Sequence, residues 1–69
     1  MEEIKLETEY IKLDQFLKLC GIAQTGGQAK MMIADGIVKV NDEVSTQRGK
    51  KIRINDKIEV DDEYLFIVI

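Results

Sequence analysis

The chain has 69 residues, 45% hydrophobic and 33% charged, a balance that suits one small globular domain and argues against a disordered tail. A domain of this size buries only about 60% of its unfolded surface, which leaves little room for an enclosed catalytic cavity and points to an exposed binding surface. One cysteine and no histidine exclude an internal disulfide and a recognisable set of metal ligands.

Ile4, Leu6, Thr8 and Tyr10 alternate with Lys5, Glu7 and Glu9, which predicts a half-buried first strand. From Leu13 the period lengthens. Leu13, Phe16, Leu17 and Cys20 form one helical stripe, Asp14 and Lys18 make an i, i+4 pair outside it, and Gly21 closes the helix. Thr25 is the expected N-cap of a second helix with Gln28 as its capping-box partner; Ala29, Met32 and Ile33 face inward and Gly36 ends it. Val38 and Val40 predict a strand that turns at Asn41-Asp42 and returns through Glu43-Val44. A further strand carries Ile52 and Ile54 inward, Asn55-Asp56 turns into Ile58 and Val60, and the apolar run from Tyr64 to Ile69 reads as a buried strand. The expected order is β-α-α-β-β-β, an α+β domain with two short helices packed on a small, mostly antiparallel sheet. With no linker or internal repeat, residues 1–69 are expected to form a single domain.

The net charge of -3 would argue against a nucleic-acid partner, but its distribution does not. Between Lys12 and Lys57 nine Lys/Arg face five Asp/Glu, so a basic middle lies between acidic ends. A strand through Arg48-Gly49-Lys50-Lys51-Ile52-Arg53 would set Lys51 and Arg53 together on the face opposite Ile52. Such a comb of cations can follow a phosphate backbone, or it can be a solvated edge that lysines keep from aggregating. Thr25-Gly26-Gly27-Gln28-Ala29-Lys30 has the same two readings: a cap with a chain reversal, or a helix start whose free N-H groups, with Lys30 nearby, receive an anion. Gly27, Met31 and Ala34 form a small, uncharged outer face on that helix, suited to a protein contact or to docking in a ribose-phosphate groove. Cys20 lies on the inward stripe and is read as a packing residue. No carboxylate, Lys, Tyr or Cys pair has a cooperative spacing, so no catalytic residue and no cofactor is expected.

Lys12-Leu13-Asp14, Gly21-Ile22, Gly26, Gln28-Ala29-Lys30, Ile33, Gly36-Ile37-Val38-Lys39-Val40-Asn41 and Asn55-Asp56-Lys57-Ile58 together resemble the S-four domain, the α-L RNA-binding motif. The match runs roughly from Tyr10 to Val60 and is most similar to the small stand-alone bacterial members of the YaaA/YbcJ type. The resemblance implies RNA binding by the two helices and the strand after them. It assigns Lys12, the helix opening Gly26, Gly27, Gln28 and Lys30, and the strand residues Lys39 and Asn41 to the RNA face. Arg48, Lys50, Lys51 and Arg53 would extend that face. Asp42 stands where the family usually has Gly, and Asp14 is expected to be structural.

The expected function is therefore non-enzymatic recognition of structured RNA, ribosomal RNA or a tRNA-like fold, by a monomer that acts alone or on a ribosomal particle. The competing reading is a protein-interaction adaptor using the acidic termini or the outer face of the second helix. Tyr10, Tyr64 and Phe66 lie in acidic segments and Phe16 points inward, so the basic surface is expected to lack aromatic platforms, favouring backbone and groove contacts over single-strand reading. An acidic amino terminus and the absence of any apolar run near 18 residues, about the length a membrane span needs, point to a cytoplasmic protein with no membrane partner.

Overall fold

Strands form where apolar residues recur at every second position, because alternate side chains then share one face. The computed structural model describes residues 1–69. Val38 and Val40 of β3 (Val38–Val40), Ile58 and Val60 of β6 (Lys57–Val60), and Phe66 and Val68 of β7 (Tyr64–Val68) are all buried on one side of a five-stranded sheet. Its order is β1-β7-β6-β3-β4, completed by β1 (Glu2–Ile4) and β4 (Glu43–Val44). Every pairing is antiparallel except that of β1 with β7. A separate antiparallel ribbon joins β2 (Ile11–Lys12) to β5 (Lys51–Ile52).

The helical stripes fold as their spacing predicts. Leu13, Phe16 and Leu17 of α1 (Leu13–Leu19) and Ala29 and Ile33 of α2 (Gly26–Ala34) are fully buried, and they join the sheet residues in one core cluster of 13. Phe16 meets Phe66 edge to face, with centroids 5.9 Å apart at 81°, which ties α1 to the sheet by about 0.5–1.5 kcal/mol beyond area burial. Thr25 Oγ1 accepts the Gln28 N-H at 3.0 Å, the expected cap. The reciprocal half of the capping box falls one residue early, because Gln28 Oε1 accepts from the Gln24 N-H rather than from Thr25. Both helices end on a left-handed glycine, Gly21 at φ 82° and Gly36 at φ 77°, a conformation that a Cβ would strain.

Three expectations need correction. The first strand does not run to Tyr10. Leu6 donates to the Ile69 carbonyl at 2.9 Å; beyond it Thr8 Oγ1 donates to the Tyr10 carbonyl at 2.8 Å, bending the chain out of the large sheet and into the β2–β5 ribbon. Two elements arise where one was expected, and Tyr10, read as inward, is exposed. Ile54 was also expected to be inward, yet it is 54% exposed. Its strand stops at Ile52 because the Asp56 carboxylate accepts the Arg53 N-H at 2.8 Å and the Asp56 N-H donates to the Arg53 carbonyl at 3.1 Å, closing a turn around Ile54 and Asn55.

Candidate nucleic-acid interface

The β2–β5 ribbon concentrates positive charge through its register alone. Lys12 lies directly opposite Lys51, and Ile11 opposite Ile52, which is fully buried. Like charges in a cross-strand pair repel, so this arrangement costs stability unless an anion joins it. No carboxylate does so: the ion pairs of the protein involve only Lys39 and Lys57. The adjoining turn is fixed to the start of α1, where the Leu13 N-H donates to the Lys50 carbonyl at 2.9 Å and the Asp14 N-H to the Arg48 carbonyl at 3.0 Å. These two bonds satisfy N-H groups that a helix start otherwise leaves open, and they hold Arg48 and Lys50 beside Lys12. Asp14 lies in that first turn, its Oδ1 accepting the Gln15 N-H, a structural position.

The opening of α2 supplies a second group. α1 packs on both α2 and the ribbon, so it stands between the two sets of predicted residues. Gly26 and Gly27, the first residues of α2, have no intrahelical acceptor for their N-H groups. A Cβ at Gly26 would meet nothing within 4 Å, and one at Gly27 only Thr25 Oγ1 at 3.9 Å, so internal packing does not require either glycine. Lys30 is exposed and unpaired, whereas Gln28 spends its side-chain oxygen on Gln24.

Lys39 and Asn41 are used differently. Lys39 projects from the face of β3 opposite the core, where its Nζ lies 3.4 Å from Asp62 and 3.9 Å from Glu59, its register partner. The neighbouring Glu59, then Lys39, lower the Asp62 carboxyl from its ordinary value. Asn41 is consumed internally: its Oδ1 accepts the Lys57 N-H at 2.9 Å and its amide donates to Asp56 Oδ1 at 3.0 Å. Lys50 and Asn41, with Glu43, Ser45, Thr46 and Gln47, line an open cleft of about 400 Å³. Cys20 is half-buried, its Sγ donating to the Leu17 carbonyl at 3.6 Å, and burial pushes its thiol up, away from a reactive thiolate.

Sequence reasoning missed Tyr10. Its ring centroid lies 4.8 Å from Lys51 Nζ and 5.8 Å from Arg53 Cζ, so the basic surface does carry an aromatic, contrary to expectation. The signal was its place two residues before Lys12, on the same side of an extended chain. Only the long-range pairing with β5 turns that spacing into a site.

The S4 domain family matches residues 4–68, and the chain belongs to that family. A curated relative from Bacillus subtilis (strain 168), described as a probable ribosome maturation protein, RlbA, is 43% identical over 58 residues, which cover 84% of this chain and 82% of that protein. The solution structure of YbcJ from E. coli, whose alfaL motif is described as involved in RNA binding, superposes with a TM-score of 0.75 at 31% identity over 100% of this chain and 87% of its own. A pseudouridylate synthase matches with a TM-score of 0.74 at 30% identity; the match covers 83% of this chain and only 24% of that enzyme's length.

Proposed function

We propose that the protein is a non-enzymatic, monomeric RNA-binding domain of the cytoplasm that recognises structured RNA of ribosomal type. Lys12 and Lys51 of the ribbon and Arg53 just beyond it would take phosphates, with Arg48 and Lys50 beside them and Gly26, Gly27, Gln28 and Lys30 at the α2 opening. The carrying observation is the cross-strand pair Lys12 and Lys51, two cations in register on one face with no carboxylate paired to either. Family membership, the RNA-binding motif described for YbcJ and the ribosomal role in the name of RlbA support the reading. Lys39 and Asn41 are left to internal pairing. The α2 opening deserves inclusion because unpartnered N-H groups beside glycine admit a phosphate without steric hindrance.

The test is a salt titration of binding to a hairpin RNA and a matched DNA duplex, with the native protein and a Lys12→Ala, Lys51→Ala variant. RNA-selective binding is expected, with a log-log salt slope shallower in the variant by roughly 0.7 to 0.9 per lost phosphate contact. A slope that the variant leaves unchanged would remove the ribbon from the interface. Absent or salt-insensitive binding would instead favour a protein contact through the outer face of α2, where Met31 is 67% exposed.

A further inference from the structure

Phosphate contacts require cations and no aromatic ring, yet the ribbon presents one. Extending the Ile11–Ile52 and Lys12–Lys51 register by one step sets Tyr10 against Arg53. Side chains alternate, so Tyr10, Lys12, Lys51 and Arg53 share the outer face while Ile11 and Ile52 share the inner one. Lys51 Nζ lies 4.8 Å and Arg53 Cζ 5.8 Å from the ring centroid, within the range at which the ring quadrupole attracts a cation. Tyr10 remains 36% exposed, and its hydroxyl makes no hydrogen bond within the protein. The ring is therefore dispensable to the core and to the local hydrogen bonding, and it holds two unpaired cations over a partly exposed π surface.

The geometry points to a nucleotide site: we propose that an unpaired RNA base stacks on Tyr10 while its flanking phosphates are held by Lys12, Lys51 and Arg53. This rests on the RNA-binding reading above and deepens it. A helical stem alone offers only backbone to such a face, whereas a bulged or looped base next to a stem offers backbone and a π surface together. Stacking tolerates any base, because every base has such a surface, so the site selects an unpaired position rather than a particular letter.

Two RNAs test it, a hairpin with one unpaired adenosine bulged from its stem and the same hairpin fully paired, each titrated with native protein, Tyr10→Phe and Tyr10→Leu. The native protein and Tyr10→Phe are expected to prefer the bulged hairpin by about 5- to 150-fold, the range that stacking one base provides. Tyr10→Leu should bind both hairpins alike, with the salt slope unchanged, since it loses no charge. The chain has two tyrosines and no tryptophan, so Tyr64→Phe leaves Tyr10 as the only emitter, and its fluorescence should be quenched by the bulged hairpin. Lack of preference in the native protein, equal weakening of both RNAs by Tyr10→Leu, or unquenched emission would overturn the base site while leaving phosphate recognition intact. If neither hairpin binds, the RNA-binding reading itself fails, and the base site with it.

Discussion

Asp42 occupies a position that its own chemistry resists. It and Asn41 are the two residues of the β3–β4 hairpin turn, at φ 73° and 52°, the left-handed pair that a type I′ turn demands. Asparagine and aspartate visit this region more readily than other side chains and glycine does so freely, so relative to glycine the aspartate costs of order 1 kcal/mol. Against it stands an exposed ion pair, Asp42 Oδ1 to Lys57 Nζ at 3.1 Å, of a kind that contributes about 0.2–1 kcal/mol. The backbone term is the larger, so Asp42→Gly should raise the melting temperature by a few degrees, roughly 0.5 kcal/mol in a domain this small. A lower melting temperature in thermal denaturation would mean that the Lys57 contact outweighs the turn. Asn41 shows what a linear reading cannot see, since its polar side chain looked available for RNA but finds both partners near Lys57, across the β3–β6 pairing.

At the level of elements, the helices were the legible part, because seven or more residues at helical period leave a stripe that can be counted. The hairpin turn and the glycine ends were equally plain from their residue types. The ribbon was not. β2 and β5 have two residues each, too few for alternation to be recognised, and they pair across about forty positions of sequence; thus Lys51 and Arg53 were correctly set together while Tyr10 was lost. The opening of α2 makes its own prediction. Since neither glycine there needs its missing Cβ, Gly26→Ala with Gly27→Ala should stabilise the helix by about 0.5–1 kcal/mol per site, chiefly by restricting the unfolded chain. The same methyl groups would keep a phosphate from the open N-H groups, so RNA affinity should fall as the melting temperature rises. Affinity unchanged in the more stable variant would exclude this helix end from the interface.

Across the whole molecule, one cluster of acids is held away from the cations proposed to meet RNA. Val60 pairs with Val38 at one end of β6, beside the turn Asp61 to Glu63, whereas Lys57 meets Asn41 at the other end, beside the turn that begins at Arg53. The acidic turn Asp61 to Glu63 and the turn from Arg53 thus sit at opposite ends of β6, in a body measuring 26 × 21 × 18 Å. Near 0.15 M salt the screening length is about 8 Å, so RNA at the Arg53 turn barely senses Asp61 to Glu63; near 0.01 M it is about 30 Å, longer than the molecule. Asp61→Asn with Glu63→Gln, at two acids that form no ion pair, should leave affinity within about twofold in the first condition and strengthen it in the second. Equal effects at both salts would mean that the acids act locally. The parallel pairing of β1 with β7 has a kinetic meaning as well. Glu2 aligns with Phe66 and Ile4 with Val68, so β1 has no neighbour in the sheet until a strand 64 residues further along the chain reaches it. The helices and the β3–β4 hairpin rest on closer contacts, so β1 is expected to close the sheet as a late step of folding, with late amide protection at Ile4 in pulsed hydrogen exchange as its sign.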